Sequence, residues 1–247
     1  SWNDLDVSWS KRSSLNELSP AILLIHGFGA CKEHWRHNQS VISEITDCYA
    51  IDLIGFGESS QPKARLMGEA YNPKAFCYCF DSWAEQVSAF CKEVVKKPVF
   101  LIGNSIGGVI ALRAAQNLQD ECQGIVLIDC AQRTMDDKRL KEQPSWMQWF
   151  RPMLKTLVQQ RWLSESLFRN AAHPSVIKKV LNQAYPSGNN LDIELINLLH
   201  YPSKRPGAAE AFRGFINLFN DHLAPELMAE LTQDVHLIWG ESDPWEP

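Results

Sequence analysis

Short runs of aliphatic and β-branched residues recur along the chain, at Ala21 to Ile25, Cys48 to Leu53, Val99 to Ile102, Gly124 to Asp129 and Val235 to Trp239. Each has the length and composition of a buried strand. The segments between them carry helical spacing. Lys32 to Ile45 places Trp35, Val41 and Ile45 as partial apolar contacts. Ser82-Trp83-Ala84-Glu85 fits a capping box and opens a helix to about Val95, with Trp83, Val87, Phe90 and Val94 on one face. Val109 to Leu118 reads as a third helix. Strands alternating with helices imply right-handed crossovers and a mostly parallel sheet, an α/β architecture. Trp2 to Trp9 alternates and reads as a strand. Lys11 to Ser19 is polar and reads as a loop closed by Asn16 and Pro20, and Gln61 to Cys79, with Pro62, Gly68 and Pro73, as another loop.

The pattern changes near Gln132. Up to about Leu223 there is no strand signal, only amphipathic helical segments broken at Pro144, Pro152, Pro174, Pro186, Pro202 and Pro206. The later helices fall near Asn190 to Leu199 and Ala208 to Phe219. Residues 132–223 therefore read as a helical cap inserted into a core made of 1–131 and 224–247. The first half of the cap is heavily apolar, with Trp146, Met147, Trp149, Phe150, Met153, Leu154, Leu157, Trp162, Leu163 and Phe168. As a core they hold the cap together; as a surface they line a slot for a long apolar substrate or touch a membrane. The first reading is the favoured one.

Composition narrows the function. The chain has 247 residues, 45% apolar and 21% charged, enough for a full core. Its net charge of −5 and lack of a dense basic run argue against nucleic acid as the main partner. Seven cysteines are dispersed without metal-ligand spacing, and Cys77 and Cys79 stand one residue apart, a poor zinc pattern. Dispersed thiols suit a reducing compartment. No stretch reaches the length of a membrane span or reads as a signal peptide, and no metal or organic cofactor is implied.

The candidate chemistry centres on Gly103-Asn104-Ser105-Ile106-Gly107. This is G-x-S-x-G between a predicted strand and a predicted helix, the context of a nucleophile elbow. Such a turn strains the serine and raises its hydroxyl above the sheet, and the helix behind it aims its positive end and the Ile106 N–H at a developing oxyanion. A glycine turn, His26-Gly27-Phe28-Gly29, follows the first core strand and suggests the Phe28 N–H as a second oxyanion donor. His26, preceding that turn, reads as a structural hydrogen bonder. Asp243, behind Gly240 and after the last strand, stands where a serine hydrolase keeps its orienting acid; capping a turn before Pro244 is its plainer role. Asp129 is the second-choice acid. A rival reading takes Gly27 to Gly29 with Asp52 as a dinucleotide site, although Lys32 stands where the third glycine belongs. None of the seven histidines follows Asp243, so no visible histidine is nominated as the base. The strand and helix that would complete the fold are likewise missing from the given chain, which is expected to be a fragment.

These residues resemble the α/β-hydrolases of the chlorophyll dephytylase and pheophytinase group of oxygenic phototrophs. The resemblance runs over HGFGACKEHWRHN (His26–Asn38), YAIDLIGFGESSQP (Tyr49–Pro62), SWAEQ (Ser82–Gln86), KPVFLIGNSIGG (Lys97–Gly108), GIVLIDCA (Gly124–Ala131) and LIWGESDPWEP (Leu237–Pro247). It implies Ser105 as nucleophile, Asp243 as triad acid, a base in a stretch just beyond Pro247, and phytyl esters of chlorophyll or pheophytin as substrates. The expected location is the cytoplasm or the thylakoid surface, and the apolar cap residues add peripheral membrane contact through the cap as an expectation. The alternatives are another serine hydrolase on the same scaffold, such as a lipase, carboxylesterase or carbon–carbon bond hydrolase, and a non-catalytic pigment- or lipid-binding protein.

Overall fold

The run Ala21–Ile25 is a strand buried at four of its five residues, with neighbours on both sides. It belongs to a computed structural model that describes residues 1–16, 19–185 and 191–246. Pro186, the start of the helix expected at Asn190, Pro247 and part of the loop expected over Lys11 to Ser19 lie outside these residues.

Contacts divide the chain into two compact units, one of 1–60, 80–131 and 222–247, the other of 61–79 and 132–221. In the first unit the strands are β1 (Trp9–Arg12), β2 (Ala21–Ile25) and β3 (Cys48–Ile51). The second unit then contributes β4 (Lys63–Ala64) and β5 (Ala75–Phe76), and the first resumes with β6 (Val99–Asn104), β7 (Cys122–Ile128) and β8 (Val235–Ile238). The main sheet runs β1-β3-β2-β6-β7-β8, parallel throughout except for β1, which pairs antiparallel to β3. Register aligns the carboxyl ends of the central strands: Ile25 opposite Gly103, Asn104 opposite Ile128, and Ile128 opposite Ile238. The turns that leave these strands share one edge of the sheet, where parallel α/β sheets bind ligands. Helices α1 (Arg36–Ile42), α2 (Phe80–Phe90) and α3 (Ile106–Leu118) complete this part, with Trp83, Val87, Val109 and Ile110 fully buried.

Several local expectations are corrected. The first strand starts at Trp9, not Trp2, and continues through Lys11 and Arg12, because Trp9 to Arg12 pair with Ile51 to Cys48; Trp2 forms an isolated antiparallel bridge with Leu5. Cross-strand pairing overrides the polar character that suggested a loop. The helix expected from Lys32 opens as a 3₁₀ turn, Lys32–Trp35, and α1 begins at Arg36. Val41 and Ile45 are exposed and only Trp35 is buried. Helix α2 starts at Phe80, two residues before the expected Ser82 cap, because fully buried Phe80 belongs to its apolar face.

The second unit contains α4 (Ser145–Gln159), α5 (Arg161–Ala171), α6 (Pro174–Ala184), α7 (Ile193–Ser203) and α8 (Ala208–Ile216), while α9 (Ala224–Met228) returns to the first. Pro152 and Pro202 do not break helices: α4 and α7 run through them. Proline removes one backbone donor, and Pro202 meets that cost in a final turn. The segment Gln61 to Cys79 is not a free loop. β4 and β5 pair in parallel, the Ala64 N–H donates to Glu210 Oε2 at 2.7 Å, and Arg213 Nη2 donates to Glu69 Oε1 at 2.9 Å. The apolar cap residues are not mainly core. Trp146, Trp149, Phe150, Met153, Leu154, Leu157 and Trp162 are exposed. Among the described residues no helix is long and apolar enough to cross a membrane.

Candidate active site

Between β6 and α3 the chain reverses within one residue. Ser105 adopts φ 53° and ψ −122°, a conformation that costs an ordinary side chain about 1–3 kcal/mol. Backbone bonds hold it there. The Ser105 N–H donates to the Ile128 carbonyl at 3.0 Å, and the Ser105 carbonyl accepts from the N–H groups of Gly108 at 3.0 Å and Ala131 at 3.2 Å. Asn104 Nδ2 donates to the same Ile128 carbonyl at 3.1 Å. The flanking glycines are steric necessities. A Cβ on Gly103 would stand 2.2 Å from the Gly107 carbonyl oxygen, and one on Gly107 would stand 2.5 Å from that of Ile25. The spacing G-x-S-x-G thus lets strand, turn and helix close on one another.

Ile106 is the first residue of α3, so its N–H belongs to the helix end that finds no partner inside the helix. The turn after β2 lies against the elbow: a Cβ on Gly27 would be 3.1 Å from both Ser105 Cβ and Asn104 Oδ1. This sets Gly27, the residue before Phe28, against Ser105. The Phe28 ring packs edge-on against Phe56 at 5.6 Å between centroids.

His26 is buried with both ring nitrogens engaged. Nδ1 lies 2.7 Å from the Gly27 carbonyl, which places the proton on Nδ1, and Nε2 accepts the Leu53 N–H at 3.1 Å. Burial holds its pKa below the usual histidine value. His26 is a strut that joins the turns after β2 and β3. Asp52 is fully buried and accepts from the Lys32 N–H at 2.6 Å, Lys32 Nζ at 3.2 Å and the Glu58 N–H at 2.9 Å. That satisfies the carboxylate internally and removes the dinucleotide reading. Lys32, which stood in the way of the glycine motif, is the partner of Asp52. Burial opposes charge on Lys32, but hydrogen bonds to Glu33 and Glu58 and the charge of Asp52 raise its pKa overall.

The two acids meet beyond β7 and β8. The Asp129 N–H donates to the Ile238 carbonyl at 3.0 Å, and Asp129 Oδ1 accepts the Gly240 N–H at 2.6 Å. Asp243 Oδ1 accepts the N–H groups of Trp245 and Glu246, each at 2.7 Å, so the turn-capping role is real. Its Oδ2 accepts no hydrogen bond among the described residues. With Ser105 bonded to Ile128 and Asp129 to Ile238, the elbow and the acids close successive strands of one sheet edge. Among the described residues no histidine bonds Ser105, Asp129 or Asp243. His222 Nε2 instead meets Asp81 Oδ1 at 3.0 Å, and His200 Nδ1 meets the Ala172 carbonyl.

A strained serine on a strand–turn–helix, at the carboxyl edge of a mainly parallel sheet, with a glycine turn against it and an acid two strands away, is the arrangement to compare with known proteins. Residues 20–247 match the profile of the alpha/beta hydrolase fold. The chain belongs to the α/β hydrolase fold family. Among its α/β hydrolase relatives, the chloroplastic pheophytinase of Arabidopsis thaliana is 24% identical, over 98% of this chain and 55% of that protein. The chain thus spans about half the length of that relative. An uncharacterized hydrolase of Bacillus subtilis is also 24% identical, over 90% of this chain and 72% of its own. A probable hydrolytic enzyme of Pseudomonas aeruginosa superposes with a TM-score of 0.69 at 20% identity, covering 97% of this chain and 70% of that one. An esterase of Thermogutta terrifontis superposes with a TM-score of 0.67 at 18% identity, covering 98% and 78%. These likenesses fix the α/β hydrolase fold.

The sequence reading missed two features. Asn104 is a clamp on the elbow through its side-chain bond to Ile128; only its position before the serine was notable. The Lys32–Asp52 clasp was hidden because the two residues are 20 positions apart. Its signal was a buried-type strand ending on a carboxylate, which requires a partner.

Proposed function

We propose that the protein is a serine ester hydrolase acting on the phytyl ester of chlorophyll or pheophytin. Ser105 Oγ attacks the ester carbonyl carbon and gives its proton to a histidine base. The N–H groups of Phe28 and Ile106 hold the oxyanion. The carbonyl–oxygen bond then breaks, phytol leaves with the proton returned by the histidine, and water hydrolyses the acyl-enzyme to restore Ser105. Asp243 orients the histidine through Oδ2. The observation that carries the reaction is the strained Ser105 with the Gly27 turn against it. The substrate rests on the pheophytinase relative that aligns over almost the whole chain. A lipid-like ester also agrees with the exposed apolar face of the cap, through which the protein contacts the thylakoid surface peripherally.

The test is phytol release from chlorophyll and from pheophytin in detergent by the full-length protein, beside its Ser105→Ala variant. Release that depends on Ser105 is expected. Turnover of short aryl esters without either pigment would replace the substrate with that of another serine hydrolase. Pigment binding without fluorophosphonate labelling of Ser105 would leave a carrier on a hydrolase fold.

A further inference from the structure

Helix α4 is turned the wrong way round for a soluble cap. Its charged residues face the second unit and its apolar residues face away. Arg151 is only 4% exposed. Its Nε donates to Asp137 Oδ1 at 2.8 Å, its Nη1 to Gln143 Oε1 at 3.1 Å, and its Nη2 to the Met135 carbonyl. Lys155 also pairs with Asp137, and both cations lie over the Phe219 ring, at 5.5 and 5.0 Å. These ties fix the rotation of the helix about its axis. The opposite face carries Trp146, Trp149, Phe150, Met153, Leu154 and Leu157, a continuous stripe at helical spacing. Each is at least 41% exposed, and Trp149 reaches 77%. Leaving this much aromatic and aliphatic surface in water is unfavourable, and the inward pinning of Arg151 and Lys155 leaves α4 no freedom to roll it under.

Charge says what covers the stripe. Residues 61–79 and 132–221 hold sixteen Lys and Arg against nine Asp and Glu, a formal +7. The remaining residues hold eight against twenty, a formal −12. The chain's net −5 conceals a basic unit and an acidic one. From Gln143 to Ser164, the length of α4 and its flanks, there is no acidic residue. On α6, Lys178 and Lys179 are exposed beside Val176 and Val180. An apolar stripe rich in tryptophan, on a unit of net positive charge, matches the acyl boundary and anionic headgroups of a bilayer. A second copy of this chain meeting it through the same unit would bring the same net positive charge.

We propose that the second unit docks on an anionic lipid bilayer through the outward stripe of α4, with Trp146, Trp149, Phe150 and Met153 entering the acyl boundary. This deepens the membrane contact proposed above and rests on that reading for its use, the delivery of a membrane-borne ester.

The test is cosedimentation of the full-length protein with vesicles of phosphatidylcholine alone and of phosphatidylcholine with roughly 30% phosphatidylglycerol, which supply the anionic headgroups. Partition into the anionic vesicles is expected, weakened by salt. The Trp149→Ser/Met153→Ser variant should lose at least about tenfold of that partition. Lys178→Glu/Lys179→Glu should lose less, and only with anionic vesicles. Both sites are exposed, and an unchanged melting temperature certifies each fold. Failure of the wild type to pellet with anionic vesicles overturns the proposal. So does partition unchanged by the stripe variant, or lipid-free self-association that the stripe variant abolishes. Ser105→Ala is run alongside. Its binding is expected to match the wild type, so loss of the esterase reading and loss of the docking reading give different results.

Discussion

Asp129 and Asp243 bind the same residue from opposite sides: Gly240 gives its N–H to Asp129 Oδ1 at 2.6 Å and takes the Asp243 N–H on its carbonyl at 3.1 Å. The two acids are therefore neighbours, and substitution should show which of them serves the proposed catalysis. Asp243→Asn is expected to lower kcat by about 10⁴-fold with little change in melting temperature, because it disturbs the orientation of the base. Asp129→Asn should cost stability instead, about 1–2 kcal/mol, by weakening a charge-assisted bond that joins β7 to the turn after β8. Ester turnover and thermal melts of the two variants decide the assignment. The opposite pattern would make Asp129 the triad acid.

Ser105→Ala is expected to abolish fluorophosphonate labelling and to reduce ester hydrolysis to the level left by binding and the oxyanion donors, a loss of roughly 10⁴-fold or more. The Tm should hold or rise slightly, since the backbone bonds from Ser105 to Ile128, Gly108 and Ala131 do not use the hydroxyl.

Much of this was legible before any coordinates. Ala21 to Ile25 coincides with its strand, and the elbow falls where G-x-S-x-G put it, because buried parallel strands and glycine turns have local signatures. Trp9 to Arg12 was illegible because its strand character comes from its partner, Ile51 to Cys48. The orientation of α4 was illegible for a different reason. Helical spacing shows that Trp146, Trp149 and Met153 share a face but not which way the face points; that depends on Asp137 catching Arg151 and Lys155. The position of Asp243 was readable; that Trp245 and Glu246 bond its Oδ1, leaving Oδ2 without a hydrogen bond among the described residues, was not.

The Lys32–Asp52 clasp should respond asymmetrically to substitution. Asp52→Ala leaves the Lys32 and Glu58 N–H groups without their acceptor, while the Lys32 ammonium keeps Glu33 and Glu58 as partners, so a loss of about 2–4 kcal/mol is expected. Lys32→Met removes the cation but spares the backbone donors to Asp52, and should cost less. Urea titrations of the two variants measure the difference. Equal losses would mean that the ion pair alone matters.

Acid should loosen the amino-terminal edge of the sheet. Burial pushes the Asp47 carboxyl up, but the Ser14 N–H at 2.9 Å and the ammonium groups of Lys11 and Lys97, each at 3.1 Å, pull it down to about 2. A carboxylate with a depressed folded pKa stabilises the fold above its unfolded value of 3.8 and loses that contribution as pH falls towards 2. With partly exposed lysines as partners the contribution is about 1–2 kcal/mol. Asp47→Asn should therefore flatten the fall in stability between about pH 4 and pH 2 while lowering stability at pH 7. Denaturant melts across that range check both halves. A parallel fall in wild type and variant would show that Asp47 is uninvolved.

The second unit is made of two separated pieces, and this governs the order in which the protein can come into being. The Ala64 N–H waits for Glu210, 146 residues later, and Glu69 waits for Arg213. On a ribosome, residues 61–79 emerge long before α8 exists to receive them, with Tyr78 and Phe76 uncovered in the interval. Sheet pairing of β2, β3, β6 and β7 can proceed meanwhile, since those strands precede the cap. The turn that carries Ser105 is thus assembled early, and the basic second unit closes late, a schedule that keeps its apolar stripe from being organised until the strands beneath Ser105 are already paired.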